Sequence, residues 1–141
     1  MSKVLVPFAH PKDGERAVRW LLAHTPKSEV LEVELCAIVD PLTPGKVAIY
    51  LSRERAEALS REAAARWIEE LGALLVSAGV PYRWEVKVGR VSRQIKAAMR
   101  RSDVDRVLVP ARAPRWLSAF RATKRSGELT LATGHPVTVL P

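Results

Sequence analysis

The residues of this chain best suited to hold a ligand are cations close to its carboxyl end. Five Lys or Arg side chains lie from Arg112 to Arg125, with Trp116 and Phe120 among them. Guanidinium and ammonium groups bind phosphate through charge-assisted hydrogen bonds, and aromatic rings stack on bases. The same segment has no glycine before Gly127, and glycine is what lets backbone amides close around a phosphate. Side chains would therefore have to hold an anion here.

The positive charge of the chain is concentrated in one quarter of its length. The net charge is +8, and residues 90–125 carry 11 Lys or Arg against two acids, whereas the remainder carries 12 bases and 13 acids. This asymmetry points to an anionic partner, either a nucleic acid or an acidic protein. A solvated helix face explains the same charges, and contact with an anionic membrane surface is a third interpretation.

Length and composition predict a single domain over residues 1–141. With 141 residues, 48% of them hydrophobic, the chain can bury a core without metals or disulfides. Its longest apolar stretches are strand-length and its beginning lacks the pattern of a signal peptide, so we expect a cytosolic protein with no transmembrane segment. The single cysteine, Cys36, lies in an apolar run and is predicted to be a buried strand thiol.

Short apolar runs alternate with longer amphipathic segments and predict the elements that position the cations. The predicted strands are Lys3–Phe8, Val30–Val39, Tyr82–Val88, Arg106–Val109 and Val137–Leu140, with Tyr82–Val88 alternating as an edge strand does. A helix is predicted in each interval between them. This β-α-β-α-β-α-β-α-β order predicts an open, five-stranded parallel α/β sheet with helices on both faces.

Two of the predicted helices have specific sequence signals. The first is expected to begin near Gly14 with Asp13 as its cap and to end at Pro26. The second, from Ser52 to Ala78, carries an apolar stripe at steps of three or four, made of Ala56, Leu59, Ala63, Trp67, Leu71, Leu74 and Ala78. In the last helix, between the fourth and fifth strands, Trp116, Leu117 and Phe120 fall at helical spacing and are predicted to pack against the sheet or a partner subunit.

At this point the chain resembles the universal stress protein family over nearly its full length. The run from Val4 to Phe8 and the segment from Glu15 to Val18 look like that family's first strand and helix. Gly89 stands where the family turns after its third strand, and the segments Val107–Val109 and His135–Val139 look like its last two strands. The resemblance implies a Rossmann-like sheet of the adenine nucleotide alpha hydrolase-like type, in the order 3-2-1-4-5. It also implies a homodimer through antiparallel pairing of the last strands.

Many members of that family bind ATP, and the resemblance places their signature on residues of other types here. The family's Asp after the first strand falls at Ala9, and the loop pattern G-x2-G-x9-G-[ST] falls at Pro110, Ala113, Thr123 and Lys124. Proline fixes φ and removes a donor at the first of these positions. We therefore expect a degenerate nucleotide-binding site and no cofactor. ATP or another nucleotide is disfavoured, although Arg112, Arg115 and Lys124 could grip phosphates in place of the missing glycines.

The predicted ligand crevice and dimer interface follow from these positions. The crevice residues are Pro7, Phe8, Ala9, His10, Ile38, Gly89, Arg90, Val109, Pro110, Arg112, Arg115, Thr123 and Lys124. The dimer residues are Val137, Thr138, Val139 and Leu140. No catalytic residue and no metal site is predicted, because the three histidines are scattered and no serine has a nucleophile motif around it. The chain is thus predicted to be a non-enzymatic stress-response regulator, or else a polyanion-binding module or an arginine-based nucleotide binder.

Overall fold

Parallel strands form the centre of the computed structural model, which describes residues 2–39, 53–101, 103–109, 123–125, 128–130 and 136–139. The helices are α1 (Pro11–His24), α2 (Arg53–Ser77) and α3 (Val91–Arg101). The strands are β1 (Ser2–Phe8), β2 (Leu31–Val39), β3 (Tyr82–Val88), β4 (Arg106–Val109), β5 (Thr123–Arg125), β6 (Glu128–Thr130) and β7 (Pro136–Val139).

The described strands form one sheet in the order β3-β2-β1-β4-β7-β6-β5. Parallel pairing joins β3 to β2, β2 to β1, β1 to β4 and β4 to β7, whereas β6 is antiparallel to both β7 and β5. The predicted order across the first four of these strands is confirmed. The predicted strand Val137–Leu140 corresponds to β7, which is parallel to β4. Contrary to the prediction, the sheet is not purely parallel and does not end there, because β5 and β6 extend it as an antiparallel hairpin beside β7.

The hairpin lies in the interval for which the sequence predicted a helix. Residues 123–125 and 128–130 are strands, and Arg125 pairs with Glu128 so that two residues, Ser and Gly, join them. A two-residue connection containing Gly is typical of a tight hairpin. The remainder of the predicted helix, including Trp116, Leu117 and Phe120, lies outside the described residues.

The sheet is covered differently on its two faces. On one face α1 and α2 contact each other and pack over alternate residues of β1 and β2, namely Val4, Val6, Phe8, Val33, Leu35 and Ala37. The intervening residues Leu5, Cys36 and Ile38 are also buried, and on their face α3 contacts β2 and buries Ile95 and Ala98. The predicted burial of Cys36 is confirmed, since only 1% of it is exposed.

Helix α1 begins earlier than the sequence prediction, and its cap is a different residue. His10 has extended backbone angles and its Nδ1 accepts from the backbone N–H of Lys12 at 3.3 Å. Pro11 occupies the first turn, where its missing N–H costs nothing. Asp13 was therefore wrongly predicted as the cap; it lies inside the first turn, where an acid still suits the helix dipole.

The buried stripe of α2 is shifted by about one residue from the predicted one. Ala64, Ile68, Leu71 and Leu75 are buried, while Trp67 and Leu74 are only partly buried against the core. Leu59, which was predicted to face inward, is 46% exposed. The helix therefore packs on β2 and β3 through a face rotated from the one that the apolar spacing suggested.

Candidate functional site

The carboxyl ends of β1, β2, β3 and β4 meet at one edge of the sheet because these strands run parallel. Strand β1 connects through α1 to β2 on one side, and β4 lies on its other side. Ligands in open α/β sheets bind at such a change of direction, beyond the carboxyl ends of the strands. The predicted crevice therefore lies beside Ala9, which follows β1, and Val109, which ends β4.

The backbone amides at the start of α1 are already occupied. Pro11 has no N–H, Lys12 N donates to His10 Nδ1, and the N–H groups of Asp13 and Gly14 donate to the His10 carbonyl at 3.1 and 3.3 Å. A helix start binds phosphate through free N–H groups that point at the ligand. This helix start offers none, because His10 accounts for all the donors of the first turn.

The residues at the end of β1 present no charged side chain to the crevice. Ala9 is half-buried and has only a methyl group, and the imidazole of the exposed His10 is engaged in the cap. Pro7, Phe8 and Ile38 are all buried in the sheet. These three predicted crevice residues thus form the floor beneath the site and do not reach into it.

The end of β3 is closed by Gln94, a residue that the sequence prediction missed. The Gly89 N–H donates to the Val39 carbonyl at 2.9 Å, and its φ of +149° favours glycine. The Gln94 side chain lies over Gly89, where a Cβ would meet its Nε2 at 2.5 Å, and its amide donates weakly to the Val88 carbonyl at 3.5 Å. No local sequence signal identifies Gln94, because its contact with Gly89 is possible only since glycine has no side chain.

The described structure does not bring the cationic residues of the predicted crevice together at that site. Arg90 is exposed next to Gly89, while Pro110, Arg112 and Arg115 lie outside the described residues. Thr123 and Lys124 lie in β5, three strands from β4 in the sheet order, which is about 14 Å at ~4.8 Å per strand. The predicted position of Thr123 and Lys124 beside β4 is therefore corrected, since hairpin pairing with β6 takes them to the edge of the sheet.

A row of arginines follows the crevice along α3. Arg90, Arg93 and Arg100 are exposed, and the sequence of α3 contains no acid. Within the described part of the chain no ion pair is formed by these three arginines. Their positive charges are therefore available to an external anion.

The predicted dimer strand has both of its neighbours within the same chain. Val137 and Val139 of β7 pair with β4, and Pro136 and Val137 pair with Thr130 and Leu129 of β6. The outer edge of β7 is therefore occupied by the hairpin over Pro136 and Val137, and Leu140 lies outside the described residues.

None of the predicted crevice residues lines any of three cavities formed by described residues. One of about 190 Å³ lies at the amino end of the sheet beside the stacked rings of Trp20 and His24. One of about 200 Å³ lies between α1 and α2, and one of about 540 Å³ lies where those helices end, beside Val30 and Val80.

Among the described residues, no group of three or more His, Cys, Asp or Glu is placed to bind a metal ion. No described helix combines the length and the apolar character needed to cross a bilayer.

A family model and several solved structures match this chain. The family model of the universal stress protein family matches residues 1–141, which confirms the resemblance seen in the sequence. No curated protein matches the chain. The fold is similar to that of hypothetical protein MJ0577, with 16% identity over 99% of this chain and 94% of that one, and a TM-score of 0.72.

Two further solved structures share the fold. One is a universal stress protein family protein from Arabidopsis thaliana with AMP bound, with 17% identity over 99% of this chain and 91% of that one, and a TM-score of 0.62. The other is a universal stress protein family member from Burkholderia pseudomallei, with 15% identity over 99% and 96% of the two chains and a TM-score of 0.66.

Proposed function

The chain belongs to the universal stress protein family, and from this premise we propose that it is a small cytosolic stress-response regulator. It is non-enzymatic, and it does not hold ATP in the way that the family's glycine loop and Asp imply. The observation that supports this proposal is the start of α1, where Pro11 and the hydrogen bonds to His10 leave no free amide for a phosphate. Ala9 adds no carboxylate for a ribose or a metal ion.

A titration with nucleotide tests this proposal. A ligand present at 100 times its Kd stabilises a protein by about 2.7 kcal/mol, which for a chain of this size raises Tm by several degrees. We expect no such shift with micromolar ATP or AMP. The Arabidopsis relative whose structure holds AMP serves as the positive control. A shift of several degrees in this chain would overturn the proposal.

A variant separates the arginine-based form of nucleotide binding from the main proposal. If ATP does raise Tm, the double variant Arg112→Ser with Arg115→Ser shows which groups hold it. Loss of the shift in that variant supports phosphate binding by side chains in place of a glycine loop. A shift that persists indicates that backbone groups bind the nucleotide.

The row of exposed arginines on α3 favours a second function, the binding of a polyanion. Arg90, Arg93 and Arg100 have no ion-pair partner in the described structure, and residues 90–125 carry the chain's entire positive excess. A protein that neutralises phosphates loses affinity for DNA as salt rises, with a slope of about 0.9 per phosphate contacted. The basic face thus predicts strongly salt-dependent binding without base specificity.

The polyanion function is tested with two triple variants of equal charge. Changing Arg90, Arg93 and Arg100 to Ser should lower the salt concentration at which the protein elutes from heparin or DNA and reduce the salt slope by about 2 to 3. The control changes Arg16, Arg61 and Arg66, which are exposed on α1 and α2, to Ser. Equal loss in both variants would mean that only net charge matters and would count against a binding face.

Self-association is part of the proposed function. The pairing of β7 with β6 leaves the predicted interface at Val137 without a free edge. Thr138 and Val139 have no β6 partner among the described residues, and we propose that the predicted homodimer forms through this part of the last strand together with Leu140.

A further inference from the structure

Two adjacent cavities lie at the amino ends of the strands, at the end of the sheet opposite the crevice. One of about 190 Å³ is formed by α1, β1, β2 and the start of β4. One of about 540 Å³ is formed by the ends of α1 and α2 and the segments that lead into β2 and β3. Thr25, Glu29 and Leu31 line both of them. Because a cavity of about 150 Å³ is large enough to hold benzene, the pair has room for a small organic molecule.

The larger cavity is mostly apolar. Its lining includes Leu22, Val30 and Val80, and Val30 is 58% exposed. No described atom lies within 4 Å of the place that a Cβ would take at Gly79, so the cavity is open beside this residue. An apolar group that entered the cavity would remove its own surface and that of Val30 from water, which is favourable.

The smaller cavity has an apolar floor and a charged rim. Val4, Leu21 and Leu31 are buried beneath it. Arg106 of β4 pairs in register with Val4 of β1, so both side chains leave the sheet on the face that α1 covers. Arg106 is exposed, and within the described part of the chain it takes part in no ion pair. Its guanidinium is therefore available to a carboxylate, which it can bind through two parallel hydrogen bonds.

Glu29 lies where the two cavities meet, and its carboxylate is held in place. Ser2 Oγ donates to Glu29 Oε1, and the Glu29 N–H donates to the Pro26 carbonyl at 3.0 Å. Among the described residues no group donates to Oε2, so this oxygen is available to an ammonium group. Helix α1 ends at His24, which lines the smaller cavity, and the negative end of a helix dipole also favours a cation.

The other charged and aromatic groups around the cavities are bound elsewhere or lie to one side. Asp105 Oδ2 accepts from the Lys3 N–H at 2.9 Å, so this carboxylate is used by the backbone of β1. His24 Nδ1 is 2.8 Å from the Trp20 carbonyl, and the two rings are stacked. Lys27 is exposed and lines only the larger cavity. A ligand that extends into both cavities therefore meets one cation on one side of the junction and one carboxylate at it.

We infer that the two cavities bind a free α-amino acid with a large apolar side chain, such as leucine or phenylalanine. The Cα of such a molecule bears three groups, and the site has a region for each. With that Cα beside Glu29, the ammonium group binds the Glu29 carboxylate, the carboxylate binds Arg106, and the side chain enters the larger cavity. The inference goes beyond the function proposed above, because it adds a second site at the other end of the sheet.

Ligands with a single charge match the site less well. A carboxylic acid without an amine would bring its negative charge close to Glu29 and Asp105 with no ammonium group to offset the repulsion. An amine without a carboxylate would leave Arg106 without a partner. A zwitterion satisfies both groups at once, and its apolar side chain distinguishes it from glycine.

An NMR titration tests the class of ligand. L-leucine and L-phenylalanine should shift the amide cross-peaks of Thr25, Glu29 and Val30 and the indole N–H of Trp20, assigned with Trp20→Phe. Two analogues of leucine each lack one charge: 3-methylbutan-1-amine has no carboxylate, and 4-methylpentanoate has no ammonium group. Each should bind about tenfold or more weakly than leucine, since each loses a hydrogen bond between charged groups. Glycine, which has no side chain to bury, should also bind more weakly.

Three variants of the full chain locate the binding groups. Arg106→Gln should weaken leucine binding about tenfold without weakening binding of the amine, which does not use Arg106. Glu29→Gln should likewise weaken leucine binding without weakening binding of 4-methylpentanoate. Lys27→Gln is the matched control, because it removes a charge from the larger cavity that the ligand does not use, and it should bind leucine as the unmodified chain does. Unchanged Tm in each variant ensures that folding is not the cause.

The contrary outcomes are distinct. Equal affinity for leucine and its two analogues would show an apolar cavity that does not recognise a zwitterion. Loss of leucine binding in Lys27→Gln but not in Arg106→Gln would place the carboxylate in the wrong cavity, and no shift at these residues with millimolar leucine or phenylalanine would exclude the site. Each of these results overturns the inference. None bears on the nucleotide titration, which tests the crevice at the opposite end of the sheet.

Discussion

Lys3 forms an ion pair with Asp103, one hundred residues later in the sequence, with its Nζ 2.9 Å from Oδ1 of that carboxylate. The backbone of Lys3 is bound as well, since its N–H donates to Asp105 Oδ2 at 2.9 Å and its carbonyl accepts from Asp105 N at 2.8 Å. These contacts join the start of β1 to the segment before β4. They lie at the amino end of the sheet, away from the crevice.

The Lys3–Asp103 pair predicts a pH-dependent contribution to stability. The hydrogen bond between them raises the pKa of Lys3 above its usual 10.5 and lowers the pKa of Asp103 below its usual 3.8. A lowered acid pKa stabilises the fold above the unfolded value, and a raised lysine pKa stabilises it below the unfolded value. The pair should therefore contribute fully between these two usual values. Its contribution is lost as pH falls through the lowered pKa of Asp103 or rises through the raised pKa of Lys3.

Urea unfolding of Asp103→Asn at a series of pH values measures this contribution. The difference from the unmodified chain should be constant near neutrality and should disappear at strongly acidic and strongly alkaline pH. Glu62→Gln, an exposed change on α2, provides the control. A difference that persists unchanged to about pH 2 would show that the titration of Asp103 is not its source.

The cap at His10 predicts an unusual pattern of substitutions. His10→Ala removes the acceptor for Lys12 N and should cost about 1 kcal/mol of unfolding free energy, whereas His10→Asn supplies a side-chain oxygen and should cost much less. Lys12→Ala keeps the same N–H and controls for a change at this turn. Equal losses for His10→Ala and His10→Asn would mean that the imidazole packs rather than caps.

The contact of Gly72 with Tyr82 predicts that a helix-favouring substitution will be destabilising. Ala is better than Gly in a helix by about 1 kcal/mol, but a Cβ at Gly72 would collide with the phenol ring. Gly72→Ala should therefore destabilise the fold by about 1–3 kcal/mol. In a Tyr82→Ala background the same change should be neutral or stabilising. Additive effects in this double-mutant cycle would show that the two residues do not interact.

The burial of Cys36 predicts that its thiol reacts slowly with thiol reagents in the native state. Only 1% of the residue is exposed, so a thiol reagent should label it in the native state only as fast as the sheet opens. In urea the reaction should be immediate. Leu5→Ala, which removes a buried side chain from the neighbouring strand, should raise the logarithm of the labelling rate in proportion to the lost unfolding free energy. Rapid labelling of the unmodified native chain would contradict the position of Cys36.

The elements that were predicted correctly are those that depend on residues close together in the sequence. Lys3–Phe8 and Arg106–Val109 are short apolar runs, and each forms a largely buried strand. The edge position of β3 follows from the alternation of Tyr82 to Val88. The cap was predicted three residues late because Asp13 is a common capping type, although Pro11 already marked the first turn.

The remaining differences come from contacts between distant residues. The stripe of α2 was ambiguous because apolar residues recur on two adjacent faces, and packing on β2 and β3 selects the face with Ala64 and Ile68. Strands β5 and β6 have three residues each and no apolar alternation, so only their pairing next to β7 defines them. At the start of α1 the Lys12 N–H is occupied because it donates to the His10 imidazole. No rule based on residue spacing predicts this hydrogen bond.

The position of β1 between β2 and β4 has a consequence for how the chain is made. Once β2 has left the ribosome it can pair with β1, but the other side of β1 has no partner until β4, which ends 109 − 39 = 70 residues later, has followed. At ~5–20 residues per second, a translating ribosome takes about 4–14 s to supply that partner. During this time one edge of the apolar strand β1 has no partner, and a chaperone that binds extended apolar segments could bind it there.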